Sequence, residues 1–248
     1  MHFWRILQLL FVVFIATSCG SKDSPDSKNS LTIATSADNP PYEYIQEGKV
    51  IGLDIDIINA IGLELDKKII IKNLDFPGLL PALTTDSVDA VIAGLTMTDE
   101  RKQKIDFSIG YVNTSMALLY KKTSNFKSVA ELKEKIIGVQ TGTTWEAYAK
   151  SLISSTDIRI RSLANNLVLV EELKNSSVDA IIMESMQADK FTKNFPELAS
   201  FQIDETLGEF AIALPKDSAL TPIINDAIKK LQEKGELNKI KEKWLIGK

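Results

Sequence analysis

Histidine and cysteine are almost absent from this chain: each occurs once in 248 residues, as His2 and Cys19, both at the extreme N-terminus. A domain that begins after them has no imidazole and no free thiol. Ser–His–Asp and Cys–His catalysis are thereby excluded, as are zinc sites built on histidine or cysteine. Structural disulfides are excluded too, although an exported protein would permit them. A basic cluster is also missing. The 29 lysines and arginines are scattered among 33 acidic residues, which argues against a nucleic-acid partner. Beyond the N-terminal stretch no apolar run is long enough to cross a bilayer, and no GxxxxGK[ST] spacing offers a nucleotide phosphate loop. What stays open is carboxylate, lysine or tyrosine chemistry, or binding without chemistry. The chain reads as soluble and globular, and its 44% hydrophobic content suffices for one large core or two small ones.

The N-terminus has the layout of an export signal. Arg5 supplies a positive start, Ile6 to Ile15 is apolar but for Gln8, and the small residues Ala16, Thr17 and Ser18 precede Cys19. The apolar stretch is short for a transmembrane helix. It resembles a lipoprotein signal, with Ala16 where leucine is usual, which implies removal of residues 1–18 and acylation of Cys19. An ordinary signal peptide that contains a cysteine is the simpler alternative. Residues 19–30, rich in Ser, Lys and Asp, read as a flexible tether with a reach on the order of 20 Å.

From Leu31 onward short apolar strands alternate with amphipathic helices, the rhythm of a largely parallel α/β sheet. Strand Leu31–Thr35 leads into the polar loop Ser36–Tyr42. Asp54 is expected to cap a helix running to about Leu65, with Ile55, Ile58, Ile61 and Leu65 at helical spacing. Strand 69–74, helix 79–83 and strand 90–93 follow. The pattern restarts after Lys122, with strands at 136–140, 158–161 and 180–183 and helices opening at Thr143, Asn165 and Ser185. The segments Ser87-Val88-Asp89-Ala90 and Ser177-Val178-Asp179-Ala180 match each other, by shared design or by coincidence. Met116–Tyr120 and Phe210–Leu214 are the expected crossings between two lobes. Lobe one would hold 31–121 and 215–248, lobe two 122–207, with 208–214 as the return strand.

Three places invite a ligand. In Ala93-Gly94-Leu95-Thr96-Met97-Thr98-Asp99-Glu100-Arg101 a buried strand ends at a glycine, then threonines and a helix start carry an arginine one turn in. Amide N–H groups, the Thr96 hydroxyl and the planar fork of Arg101 suit a carboxylate. A capped helix with Arg101 paired to Asp99 or Glu100 is the plainer reading. Val139-Gln140-Thr141-Gly142-Thr143-Thr144 is a second strand-to-helix turn with anion-facing amides, or simply a helix cap. Glu184, at the end of the apolar Ile181-Ile182-Met183, can meet an ammonium or cap the next helix. Two anion-receptive loops and one carboxylate facing across a cleft fit a zwitterion, and an α-amino acid is the simplest.

Pro40-Pro41-Tyr42-Glu43-Tyr44, Gly52-Leu53-Asp54-Ile55-Asp56, Gly94-Leu95-Thr96-Met97-Thr98 with Arg101, Asp106-Phe107-Ser108 and Gln140-Thr141-Gly142-Thr143 stand in that order. Together they resemble the polar amino-acid-binding members of the family 3 solute-binding proteins, over Leu31 to Trp244. The resemblance implies a two-lobed type II periplasmic-binding fold, α/β in both lobes, that shuts on its ligand by hinge motion. It implies that Arg101 and Thr96 take the α-carboxylate with amides at Thr143 and Thr144. Gly94 and Glu184 would then take the ammonium, and Phe76 would cover the ligand stem. Asn39, Tyr42, Leu95 and Gln140 complete the expected binding set. Two departures bear on ligand identity: Glu184 replaces a more usual aspartate, and Asn39 stands where an aromatic lid is normal, with Tyr42 or Trp145 as candidate substitutes. The expectation is a free polar or cationic L-amino acid, arginine first and glutamine or another polar one second. The expected partners are ABC permease and ATPase subunits. The protein is expected to be a monomeric envelope or periplasmic lipoprotein, with no cofactor, metal or nucleic acid. The rival is an enzyme on the same fold, a cyclohexadienyl or arogenate dehydratase with Glu184 as general acid.

Overall fold

The computed structural model describes residues 29–246; Cys19, the leader and most of the expected tether lie outside them. Two five-stranded sheets form two lobes. The first lobe runs β1 (Ser30–Thr35), β2 (Asp38–Asn39), β3 (Glu43–Gln46), β4 (Lys49–Ile51), α1 (Leu53–Glu64), β5 (Lys68–Asn73), α2 (Phe76–Thr84), β6 (Ala90–Val91), α3 (Asp99–Lys102) and β7 (Ile105–Phe107). The second runs β8 (Val112–Lys121), β9 (Ile136–Gln140), α4 (Thr144–Thr156), β10 (Arg159–Leu163), α5 (Asn166–Lys174), β11 (Ala180–Glu184), α6 (Ser185–Asn194) and β12 (Leu198–Phe210). The chain then returns to the first lobe as β13 (Ala213–Pro215), α7 (Leu220–Glu233) and α8 (Glu236–Lys241).

Both sheets share one plan. Orders are β5-β1-β6-β13-β7 and β10-β9-β11-β8-β12. In each, three parallel strands are followed by antiparallel ones. The matched aspartates account for part of the likeness. Asp89 accepts the Thr32 N–H at 2.7 Å and returns its own N–H to the Thr32 carbonyl at 2.8 Å. Asp179 does the same to Ile136, at 2.8 Å both ways. Each aspartate thus clasps the start of the neighbouring parallel strand, and the repeated segment is one device used twice.

Two expectations need correction. Met116–Tyr120 is not the crossing between the lobes. It pairs on one side with Ala180–Glu184 and on the other with Ala199–Asp204, in the interior of the second sheet. A strand buried on both faces reads as an unbroken apolar run, which sequence alone does not separate from a buried connector. The crossings lie next to each other instead. Ser108 donates its N–H to Ile212 and Tyr111 donates to Phe210, at 2.9 Å each, so outgoing and returning chains are bonded together. Asp54 is not the cap of α1 either. The cap position is Gly52, with φ 139° and so close to the Tyr42 carbonyl that a Cβ would stand 2.0 Å from its oxygen. Asp54, two residues further on and within the first turn, is fully buried.

Helix α7 packs the tail back on lobe one. Its Ile224, Ala227, Ile228 and Leu231 recur at helical spacing and are buried in one core with Ile57, Ile58 and Ile61 of α1. Each such aliphatic side chain contributes about 1.5–3 kcal/mol by burial.

Candidate binding cleft

The segment after β6 and the ends of β9 and β11 meet between the lobes, where open α/β sheets place ligands. In this structure the lobes are shut, and the cavity enclosed there is about 10 Å³, space on the order of one water molecule. A ligand larger than a water molecule therefore enters only when the lobes part.

Arg101 lies one turn into α3, whose start is capped by the Thr98 hydroxyl. Its guanidinium donates to the Thr96 carbonyl at 2.7 Å and across the cleft to the Gly142 carbonyl at 3.0 Å. None of the ion pairs among the described residues involves it, and Asp99 pairs with Lys102 instead. Burial pulls its pKa down to about 10. It remains a cation at neutral pH, held in the cleft by neutral carbonyls.

Thr96 is buried and forms a bridge to Phe210 of the return strand. Leu95 accepts from Ala211 and Met97 donates to Glu209, so the polar backbone groups of Thr96 point away from that strand. Gly94, at φ 52°, gives its N–H to Asp54 Oδ2 at 2.7 Å, and a Cβ there would lie 2.7 Å from the Asn39 amide nitrogen.

Opposite, Thr143 caps α4, donating to the Gln140 carbonyl at 2.6 Å and accepting the Glu146 N–H at 3.2 Å. Glu146 reaches back to the Gly142 N–H at 2.8 Å, a capping-box arrangement. Glu184 ends β11, fully buried, and one of its oxygens caps α6 by accepting the Gln187 N–H at 2.9 Å. The cap reading of Glu184 therefore holds, and the same side chain lines the cleft. Burial raises its pKa to about 7. The Tyr42 hydroxyl lies near enough to lower it somewhat, without meeting hydrogen-bond geometry.

A buried acid network backs the cleft. Asp54 Oδ2 accepts from Gly94 and from the Tyr111 hydroxyl at 2.8 Å. Glu43 Oε1 accepts from Asn39 Nδ2 at 2.9 Å. The second oxygens, Glu43 Oε2 and Asp54 Oδ1, are buried and meet no hydrogen-bond partner among the described residues. Burial, then the Asp54 charge, pushes the Glu43 pKa well up, because buried carboxyl groups close to one another resist ionising together.

Asp38 spans the lobes. Its Oδ2 accepts Gln140 Nε2 at 2.9 Å and the Asn166 N–H at 2.7 Å, while Oδ1 takes the Ser36 hydroxyl at 3.1 Å. Burial raises its pKa to about 6 against the pull of those donors.

Residues 31–247 match the bacterial extracellular solute-binding proteins, family 3. The chain belongs to that family. It is 35% identical to the arginine-binding extracellular protein ArtP of Bacillus subtilis, across 95% of this chain and 94% of that one. It is 27% identical to a probable ABC transporter arginine-binding protein, ArtJ of Chlamydia trachomatis, across 97% and 95%. An ancestral arginine-binding protein bound to glutamine superposes with a TM-score of 0.84 at 34% identity, covering 89% of this chain and 99% of the other. The fold is the two-lobed type II periplasmic-binding fold.

In this solute-binding protein Asn39, Phe76, Gly94, Thr96 and Arg101 of lobe one face Gln140, Thr143, Thr144 and Glu184 of lobe two around the cleft. Tyr42 and Leu95 do not line it. Tyr42 is fully buried beneath, edge-on to Phe210 with ring centroids 5.1 Å apart. Leu95 is a core side chain packed with Leu79 and Leu83. Of the two candidate lid substitutes only Trp145 lines the cleft. Sequence reasoning passed over Phe210, Asn166 and Gln187, which also line it. For Gln187 there was a signal: Glu184-x-x-Gln187 has capping spacing. Phe210 carried none, because its position depends on the return crossing.

Proposed function

We propose that this protein captures a free L-amino acid, arginine first and another cationic or polar one second, and delivers it to the permease and ATPase subunits of an ABC importer. One observation carries the reading. Arg101 and Glu184, a cation and a carboxylate without ion-pair partners among the described residues, line the same cleft from opposite lobes. A zwitterion supplies both missing partners, with its carboxylate on Arg101 and Thr96 and its ammonium on Glu184 and the Gly94 carbonyl. The similarity to ArtP and to the ancestral arginine-binding protein supports arginine as the first candidate. Mass spectrometry of the small molecule retained after native purification, followed by calorimetry with that compound, tests the reading. Recovery of a ligand without an α-carboxylate or an α-ammonium overturns it.

Acylated Cys19 anchors a monomer to a membrane in the cell envelope or periplasm. Several acyl chains anchor stably where one does not. Detergent partition tests this: Cys19→Ser should release the protein or stall processing, and a wholly soluble wild type after export refutes the anchor. Glu184, a buried carboxyl titrating near neutrality, is the observation that suits the dehydratase alternative. Turnover of prephenate or arogenate by the purified protein would favour that enzyme.

A further inference from the structure

Asn39, Gln140 and Gln187 all line the cleft, and each is anchored to the protein through its NH2 group, Gln140 by both hydrogens and the other two by one. Asn39 Nδ2 donates to Glu43. Gln140 Nε2 donates both to Asp38 Oδ2 and to the Ala164 carbonyl, at 2.9 and 3.0 Å, which uses both hydrogens. Gln187 Nε2 donates to the Asp38 carbonyl at 3.2 Å. Asn166, a fourth cleft amide, is anchored to Asp38 by its backbone N–H. An amide held by its nitrogen leaves its oxygen as the open end. The orientation of Asn39 is not arbitrary: its NH2 end meets Glu43 Oε1, where the amide oxygen would face another acceptor. Arg101 is the only basic residue among those that line the cleft.

We infer that Asp38 and Glu43 are specificity-positioning residues. By holding the nitrogens of Gln140, Gln187 and Asn39 they turn three carbonyl oxygens toward the ligand side chain. They thereby select one that ends in donors, a guanidinium or an ammonium, over one that ends in a carboxamide or carboxylate. The inference rests on the amino-acid reading and adds the chemistry of the side chain. Asp38 sits on β2 of lobe one while Gln140 and Gln187 belong to lobe two. The two glutamines are therefore aligned only when the lobes shut, so closure and selection are one event.

The test is calorimetry with L-arginine, L-citrulline, L-glutamine and L-glutamate. Citrulline keeps the length of arginine but replaces one nitrogen by a carbonyl oxygen and loses the charge. Facing acceptors, that oxygen is left unsatisfied, so citrulline should bind wild type roughly 10- to 100-fold more weakly than arginine. Asp38→Ala frees Gln140 from one of its two anchors while Gln187 stays on the backbone carbonyl of residue 38, so the arginine-to-citrulline ratio should fall severalfold. Asp38→Asn, whose side-chain oxygen can still accept from Gln140 and Asn166, should preserve it. Should Asp38→Ala fail to fold, Asn39→Leu removes one of the three acceptors and must lower the same ratio. Wild type that binds citrulline, glutamine or glutamate as tightly as arginine overturns the inference. So does an Asp38→Ala protein that loses arginine and citrulline by the same factor, since Asp38 is then only a closing contact. If no amino acid binds at all, the amino-acid reading itself fails, a result distinct from lost discrimination among amino acids.

Discussion

Replacing Arg101 by lysine and by alanine probes the carboxylate end of the cleft. Of the five N–H donors on a guanidinium, one bonds the Thr96 carbonyl and one the Gly142 carbonyl, leaving three for a ligand. Two of them match the parallel oxygens of a carboxylate. Removing one partner of a desolvated charge pair costs about 2–5 kcal/mol, or roughly 30-fold to a few thousand-fold in Kd; Arg101→Ala should fall in that range. Arg101→Lys keeps the charge but loses the fork and cannot serve both carbonyls and the ligand at once, so it should lie between alanine and wild type. Ligand-free stability should change little. The site is already unfavourable to the charge, with a pKa drawn down to about 10 by burial, and that offsets the two carbonyl bonds lost. The assay is calorimetry on the three proteins with amino acids and their α-amides, plus thermal melts without ligand. If amides bind wild type as tightly as acids, Arg101 is a structural arginine and the zwitterion reading collapses.

Other outcomes follow from the buried acids and the tight glycine. Glu184 titrates at about 7 without a ligand ammonium, and pairing must lower that value. Affinity should therefore be flat above about pH 7 and fall by up to tenfold per unit below it, with proton release on binding; calorimetry in buffers of different ionisation heat shows it. Glu184→Gln should fold normally, yet bind about 2–5 kcal/mol more weakly and lose that pH dependence. Glu43→Gln keeps an acceptor for the Asn39 amide and should alter the unfolding free energy in a urea titration by no more than about 0.5 kcal/mol, whereas Glu43→Ala removes that acceptor and should cost about 2–3 kcal/mol. Equal losses in the two would show that the Asn39 contact contributes nothing. Gly52→Ala, with its Cβ driven into the Tyr42 carbonyl, should destabilise by at least about 2 kcal/mol in the same titration, and a neutral result would show that the loop yields freely.

Much of the fold was legible because its signals are local. Thr143 and Asn165 cap helices from within three residues, and the alternation of apolar strands and amphipathic helices reflects what each element buries. The match of Asp89 and Asp179 was open between shared design and coincidence, and only their bonds to Thr32 and Ile136 turned a likeness of letters into a shared device. Reading Asp54 as a helix cap failed for the opposite reason. An aspartate after a glycine and before an apolar helix meets the cap pattern, and nothing nearby in the chain reveals that Gly94, 40 residues on, and Tyr111, 57 residues on, will claim its oxygen.

The sequence by itself determined the chemistry on offer: no imidazole beyond residue 2, no thiol beyond residue 19, two strand-to-helix turns ready for an anion and one acid at a strand end. It also determined the local geometry of those turns, because caps and strand ends bond to neighbours a few residues away. Only the tertiary structure decided which groups share the cleft and which way they face. Tyr42 and Leu95 went to the core, Phe210 came in on the returning strand, and Asp38 met Gln140 and Asn166, 102 and 128 residues away. Packing chooses among such partners by burying apolar surface across the whole chain, and a polar side chain then takes the orientation that leaves the fewest buried groups unsatisfied.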